Sequence, residues 1–159
     1  MNNQEIKKEI NAFVLLIEHG AGSSVENFKE LLRVLDALAL AIHYVKYTYD
    51  ENELPDPPRR SYEDDRKLAT ERFPDFGHYN RVLNVVEKLG HPDFGMGDAF
   101  DDITDIYGEM KMVQWRWDHN GPDDALWCFS DMYGFHWKRH LRNLQLYLCE
   151  WMDSDGDGK

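Results

Sequence analysis

Five carboxylates crowd into one short stretch of this chain, Asp98, Asp101, Asp102, Asp105 and Glu109. Advancing about 100° per residue along a helix brings Asp98, Asp102, Asp105 and Glu109 into one row, with Asp101 beside it. The row lies roughly 95° round from the apolar stripe Ala99, Ile103, Ile106, Met110, Val113 and Trp117. Like charges at i, i+4 oppose helix formation by about a few tenths of a kcal/mol each, so the row calls for a counter-charge. Arg116 at the end of the same row, a cation from a neighbouring helix, a metal ion or a basic partner protein would each supply it.

A second set of chemically able residues lies further on. His136 and His140 are four apart and share one side of a helix, with Trp137 between them in an apolar stripe of Leu126, Phe129, Tyr133, Trp137, Leu141, Leu144 and Leu148. That spacing suits metal ligation. His140 falls inside the stripe and His136 at its edge, and the ordinary reading of such rings is hydrogen-bonded core packing. If the two helices are antiparallel neighbours, however, the carboxylates of one and the imidazoles of the other converge as in bundle metal sites, with Asp102, Asp105, His136, His140 and His43 as candidate ligands.

Other local strings carry less. Asp101-Asp102-Ile103-Thr104-Asp105 matches the magnesium string of terpene synthases, but no second metal motif accompanies it. Asp75-Phe76-Gly77 and Asp93-Phe94-Gly95 sit in Pro-x-x-Gly turns without the other kinase elements. Asp153 to Gly158 spells the first half of a calcium loop and lacks the distal glutamate, so a solvated acidic tail over 153–159 is expected. No nucleophile elbow, phosphate loop, dinucleotide fingerprint or zinc cysteine set is present.

The elements that must position these residues are helical throughout. Ile6, Ile10, Phe13, Val14 and Ile17 predict a first helix over Asn3–Glu18, ended by Gly20. A Ser23/Glu26 capping box opens a second, Ser24–Tyr47, apolar nearly all round in its later half and expected to be the most buried. Pro55, Pro57 and Pro58 make Thr48–Arg60 an extended connector. Ser61 caps a short helix to Arg72, and a further short helix is expected over His78–Lys88. The acid row belongs to a fifth helix from Gly97-Asp98 to about Trp117. Asn120-Gly121-Pro122 then starts a sixth that reaches Trp151, with Gly134 as a possible kink. No period-two alternation stands out. The expected fold is therefore all-α: one antiparallel bundle of about six helices, four long and two short, over 1–152, with no sheet.

Composition narrows function by exclusion. A net charge of −12 repels phosphate backbones and argues against nucleic acid. No apolar run reaches the ~20 residues of a bilayer span and the N-terminus has no signal-like h-region, so a cytoplasmic, non-membrane protein is expected. Cys128 and Cys149 lie roughly 31 Å apart if one helix carries both, too far for a disulfide.

Four blocks also resemble, in order, a bacterial family catalogued only as a domain of unknown function. They are Tyr49-Asp50-Glu51-x-Glu53-Leu54-Pro55-x-Pro57, Phe73-Pro74-x-Phe76-Gly77-x-Tyr79, Asp101-Asp102-Ile103-x-Asp105-Ile106-Tyr107-x-x-Met110-Lys111 and His136-Trp137-x-x-His140-x-x-x-Leu144. The resemblance implies a helical, single-domain, cytoplasmic protein and brings no activity, cofactor or substrate with it. This chain has Gly108-Glu109 where that family reads Arg-Asp, which removes a cation that could balance the acid row.

Two functions follow as expectations. The first is a binding module with no cofactor, docking a basic protein through Asp98, Asp101, Asp102, Asp105, Glu109 and Trp115, with an inhibitor or immunity role as its concrete form. The alternative is a metal-dependent hydrolase that uses a divalent transition metal held by the carboxylates and histidines, with Asp101 activating water.

Overall fold

The computed structural model describes residues 1–156. Helix α1 (Asn3–His19) is opened by a capping box between Asn2 and Glu5 and closed by Gly20 at φ 76°, a left-handed value that glycine adopts without strain. The Ser23/Glu26 box opens α2 (Ser24–Ala41). This helix ends earlier than its apolar composition suggests, passing into a 3₁₀ turn at Ile42–Tyr44 that leaves Leu40 and Tyr44 exposed.

The connector is extended, as expected, and is tied down mainly by polar contacts. Asn120 Nδ2 donates to the Pro55 carbonyl at 3.0 Å, and Arg116 reaches Asp56 at 2.6 Å, while the Tyr49 ring meets Trp127 edge-on. Ser61 then caps α3 (Tyr62–Arg72).

Where a short helix was expected over His78–Lys88, the chain forms an antiparallel hairpin of β1 (His78–Leu83) and β2 (Asp93–Asp98), in register from His78 opposite Asp98 to Leu83 opposite Asp93. The all-α expectation is corrected here to a mostly helical fold with a small two-stranded sheet. Tyr79, Arg81 and Leu83 do alternate inward along β1, but the inward positions of β2 include Gly95 and Gly97, which carry no apolar signal to complete the pattern. Gly97 is small for a reason: a Cβ there would strike the Tyr79 ring lying across the strand.

Helix α4 (Ala99–His119) starts from the Asp98 side chain, which accepts from the Phe100 amide at 2.9 Å. Pro122 opens α5 (Pro122–Met132), which packs on α4 as the short loop requires. The expected kink at Gly134 is a π turn over Tyr133–Trp137, after which α6 (Lys138–Gly156) continues. The tail expected at 153–159 is helical backbone as far as Gly156, and 157–159 lie outside the described residues.

The centre of the bundle is α4 rather than α2: it touches α1, α3, α5 and α6. Ile103, Ile106, Met110 and Val113 meet Ile10, Phe13, Phe129, Trp137 and Leu144 in one contiguous core. Among the described residues no helix is long and apolar enough to cross a membrane. Both cysteines are free, Cys128 buried and Cys149 exposed.

Candidate functional site

Because α4 is central, its acid row is turned into the protein, and each acid has an internal partner. Arg66 of α3 donates to Asp98 at 2.6 Å, and the Tyr62 hydroxyl donates to Asp101. Asp102, 3% exposed, accepts from the Tyr79 hydroxyl on one oxygen and from His140 Nδ1 on the other at 2.7 Å. Glu109, 9% exposed, accepts from His136 Nδ1 at 3.0 Å. Asp105 lies between them, its Oδ2 3.3 Å from His140 Nε2 and 3.7 Å from His136 Nε2.

The π turn sets this geometry. Widening the helix by one residue per turn at Tyr133–Trp137 lets Trp137 remain in the core while His136, at the edge of the apolar stripe, reaches Glu109 and Asp105 on α4. The two imidazoles meet edge to face with centroids 4.9 Å apart. Each is held through Nδ1 by a different carboxylate, and each turns Nε2 toward the same Asp105 oxygen.

In this arrangement the ligand-type atoms of Asp105, His136 and His140 all lie within 4.8 Å of one another. Tetrahedral coordination at about 2.0–2.2 Å places ligand atoms roughly 3.3–3.5 Å apart, so small side-chain rotations would accommodate one ion. The charge balance also suits a cation. Asp102, Asp105 and Glu109 supply three negative charges against at most two on His136 and His140. Burial raises the pKa of Glu109, and its Oε2 is enclosed without a hydrogen-bond donor. Burial likewise raises Asp105, reinforced by the nearby Asp101 and Asp102. The hydrogen bond to Asp102 raises His140 against the opposing effect of burial.

A groove of about 570 Å³ opens beside the cluster. Asp105, Glu109 and His136 form one part of its lining, with Met112 and Trp115 further along α4 and Pro57–Arg60 of the connector opposite. Two cations of its lining are engaged, Arg60 with Asp65 and Lys111 with Glu18 at 2.9 Å. Trp115, half-buried, stacks on His119 with centroids 4.1 Å apart.

Several sequence expectations change here. Asp102 and Glu109 are buried and cannot form a docking face, and Asp98, Asp101 and Asp105 are paired. Asp102 holds a histidine rather than facing the shared Nε2 position, and Asp101 is tied to Tyr62 away from it. His43 is exposed on the 3₁₀ turn after α2 and takes no part. Arg116 does not balance the row, since it is bound to Asp124 at 2.9 Å and to Asp56. His140 is largely but not fully buried, and its ring is hydrogen-bonded as a core histidine would be. Tyr79, Tyr62 and Arg66 were missed. Only the need for a counter-charge pointed to them, without naming a residue.

No protein-family model matches the chain, and no curated protein matches it. The fold is shared with the crystal structure of protein BF1032 from Bacteroides fragilis, a structural genomics target. The TM-score is 0.74 over 94% of this chain and 91% of that one, at 16% sequence identity. That likeness concerns the fold alone.

Proposed function

We propose that the protein binds one divalent transition-metal ion through Asp105 Oδ2, His136 Nε2 and His140 Nε2, and uses it to hydrolyse a small substrate lying in the adjoining groove. One observation carries the reading. Two histidines, each gripped at Nδ1 by its own buried carboxylate, turn both Nε2 atoms onto one oxygen of a third carboxylate. Carboxylate–imidazole pairs of this kind fix the tautomer that leaves Nε2 free for a metal and increase its basicity. Two histidines and one carboxylate with open positions is a ligand set of catalytic zinc and of non-haem iron.

The chemistry would be that of a polarised water. A metal held by Asp105, His136 and His140 would act as a Lewis acid, polarising a carbonyl or phosphoryl oxygen of the substrate and easing loss of a proton from a water beside it. Glu109, whose Oε2 has no hydrogen bond, is the carboxylate available to accept that proton, a role Asp101 cannot fill while tied to Tyr62. Docking of a basic protein, in an inhibitor or immunity role, keeps the net charge in its favour but loses the acid row as its surface.

The test is calorimetric titration of zinc into metal-stripped protein. Wild type should bind one equivalent, and His136→Ala and His140→Ala should each lose at least tenfold in affinity. Equal affinity in all three proteins would reject the site. Hydrolysis of a panel of carboxylic and phosphoric esters should vanish with chelator and return with zinc, and failure of zinc to restore any turnover would reject the hydrolytic part.

A further inference from the structure

The β1–β2 hairpin carries a surface that the metal reading does not use. Its outward face and tip hold Val82, Val85, Val86, Leu89, Phe94 and Met96, exposed from 43% at Val82 to 85% at Val86. The register places Val82 opposite Phe94 and Asn80 opposite Met96, so the ring, the thioether and Val82 form one patch. Each strand pairs only with the other, which leaves two open edges among the described residues. Long, exposed apolar edge strands invite pairing with another chain.

We infer that this hairpin is the interface of a symmetric homodimer, each copy covering the apolar hairpin face of the other. Charge permits a second copy as the occupant, and area favours it. The chain as a whole carries −12, and most of its surface would repel a copy of itself. The hairpin itself is close to neutral: Lys88 neutralises Asp93 at 2.9 Å, Arg66 neutralises Asp98, and Arg81 and Glu87 cancel in formal charge. Two copies can therefore meet there without like-charge cost. The area is also adequate. The six side chains expose on the order of 700 Å² together, near the ~800 Å² each partner contributes to a standard stable interface. An antiparallel hairpin related to itself by a two-fold axis presents the same residues to both sides, as a closed dimer requires.

The dimer bears on the buried cluster through the hairpin's inner face. There Tyr79 stacks on Tyr147 at 5.0 Å and donates to Asp102, which holds His140. Covering the outer face steadies a strand whose inner face steadies a histidine.

The full chain is examined by size exclusion with light scattering over a wide concentration range. Wild type should give twice the 18.8 kDa chain mass and dissociate on dilution, while Phe94→Lys combined with Met96→Lys should stay at 18.8 kDa with an unchanged helical signal. A wild type that remains monomeric at its highest soluble concentration overturns the inference, and so does a dimer that survives the double substitution. If the substituted chain fails to fold, hydrogen exchange on wild type decides. Amides of residues 78–98 that gain protection with concentration support the dimer, and concentration-independent exchange overturns it. None of these readouts depends on metal.

Discussion

Asparagine in place of Asp102 keeps the shape of the side chain and removes its charge, which isolates the role of the carboxylate–histidine pair. In the folded protein the two oxygens receive different donors, His140 Nδ1 on one side and the Tyr79 hydroxyl on the other. Asparagine offers one oxygen and one amino group. If the amino group faces His140, the ring must accept at Nδ1 and carry its proton on Nε2, where it blocks a metal. If it faces Tyr79, His140 keeps a neutral hydrogen bond, roughly half as strong as the charged one. Metal-free Asp102→Asn should therefore lose about 1 kcal/mol in chemical denaturation, the difference between a charged and a neutral hydrogen bond. Its zinc affinity should fall about 10–100-fold, equivalent to ~1.4–2.7 kcal/mol. Competition with a chromophoric chelator measures the second quantity. An affinity within twofold of wild type would refute the claim that Asp102 orients His140 for ligation.

Three further outcomes follow from other parts of the structure. The folded pKa values of His140, Asp105 and Glu109 are all raised, so each contributes stability that is complete below its unfolded pKa and lost as pH rises through the folded value. Metal-free protein should thus weaken with rising pH across these pKa values, while stabilisation by zinc grows above the raised pKa of His140, and thermal melts with and without metal should diverge. Arg116→Met leaves the nearly buried Asp124 without its cation and should cost roughly 3 kcal/mol, with faster proteolysis of the connector it holds through Asp56. Gly97→Ala forces Tyr79 off Asp102 and should cost about 1–3 kcal/mol in denaturant melts while also lowering zinc affinity.

The helices that hold the site were legible because their signals are local and redundant. The Asn2 and Ser23 caps, the Gly20 stop, Pro122 at the first position of α5 and the apolar stripes all agree, and the short Asn120–Gly121 loop forced α4 and α5 together. Convergence of the acid row on His136 and His140 was legible in outline from their spacing. The roles within it were not. Whether Asp102 or Asp105 faces the shared Nε2 position depends on a rotation about α4 set by Tyr79 and by the π turn, and neither was visible as a pairing partner or a helix defect of defined width. The hairpin was missed because two of its inward positions are glycines and its outward face is apolar, which inverts the pattern expected of a strand half in water. His43 read as a flank of α2, but that helix ends at Ala41 and the ring leaves with the 3₁₀ turn.

The central claim is that Asp105, His136 and His140 close around a metal, and anomalous diffraction from zinc-soaked crystals at the zinc edge tests it most directly. The account predicts one peak between α4 and the π turn, about 2.0–2.2 Å from Asp105 Oδ2 and both Nε2 atoms, with Nδ1 of the two rings still on Asp102 and Glu109. An empty cluster in crystals that carry zinc elsewhere, with His140 still bridging Asp102 and Asp105, would contradict it and leave the residues as a buried hydrogen-bonded network.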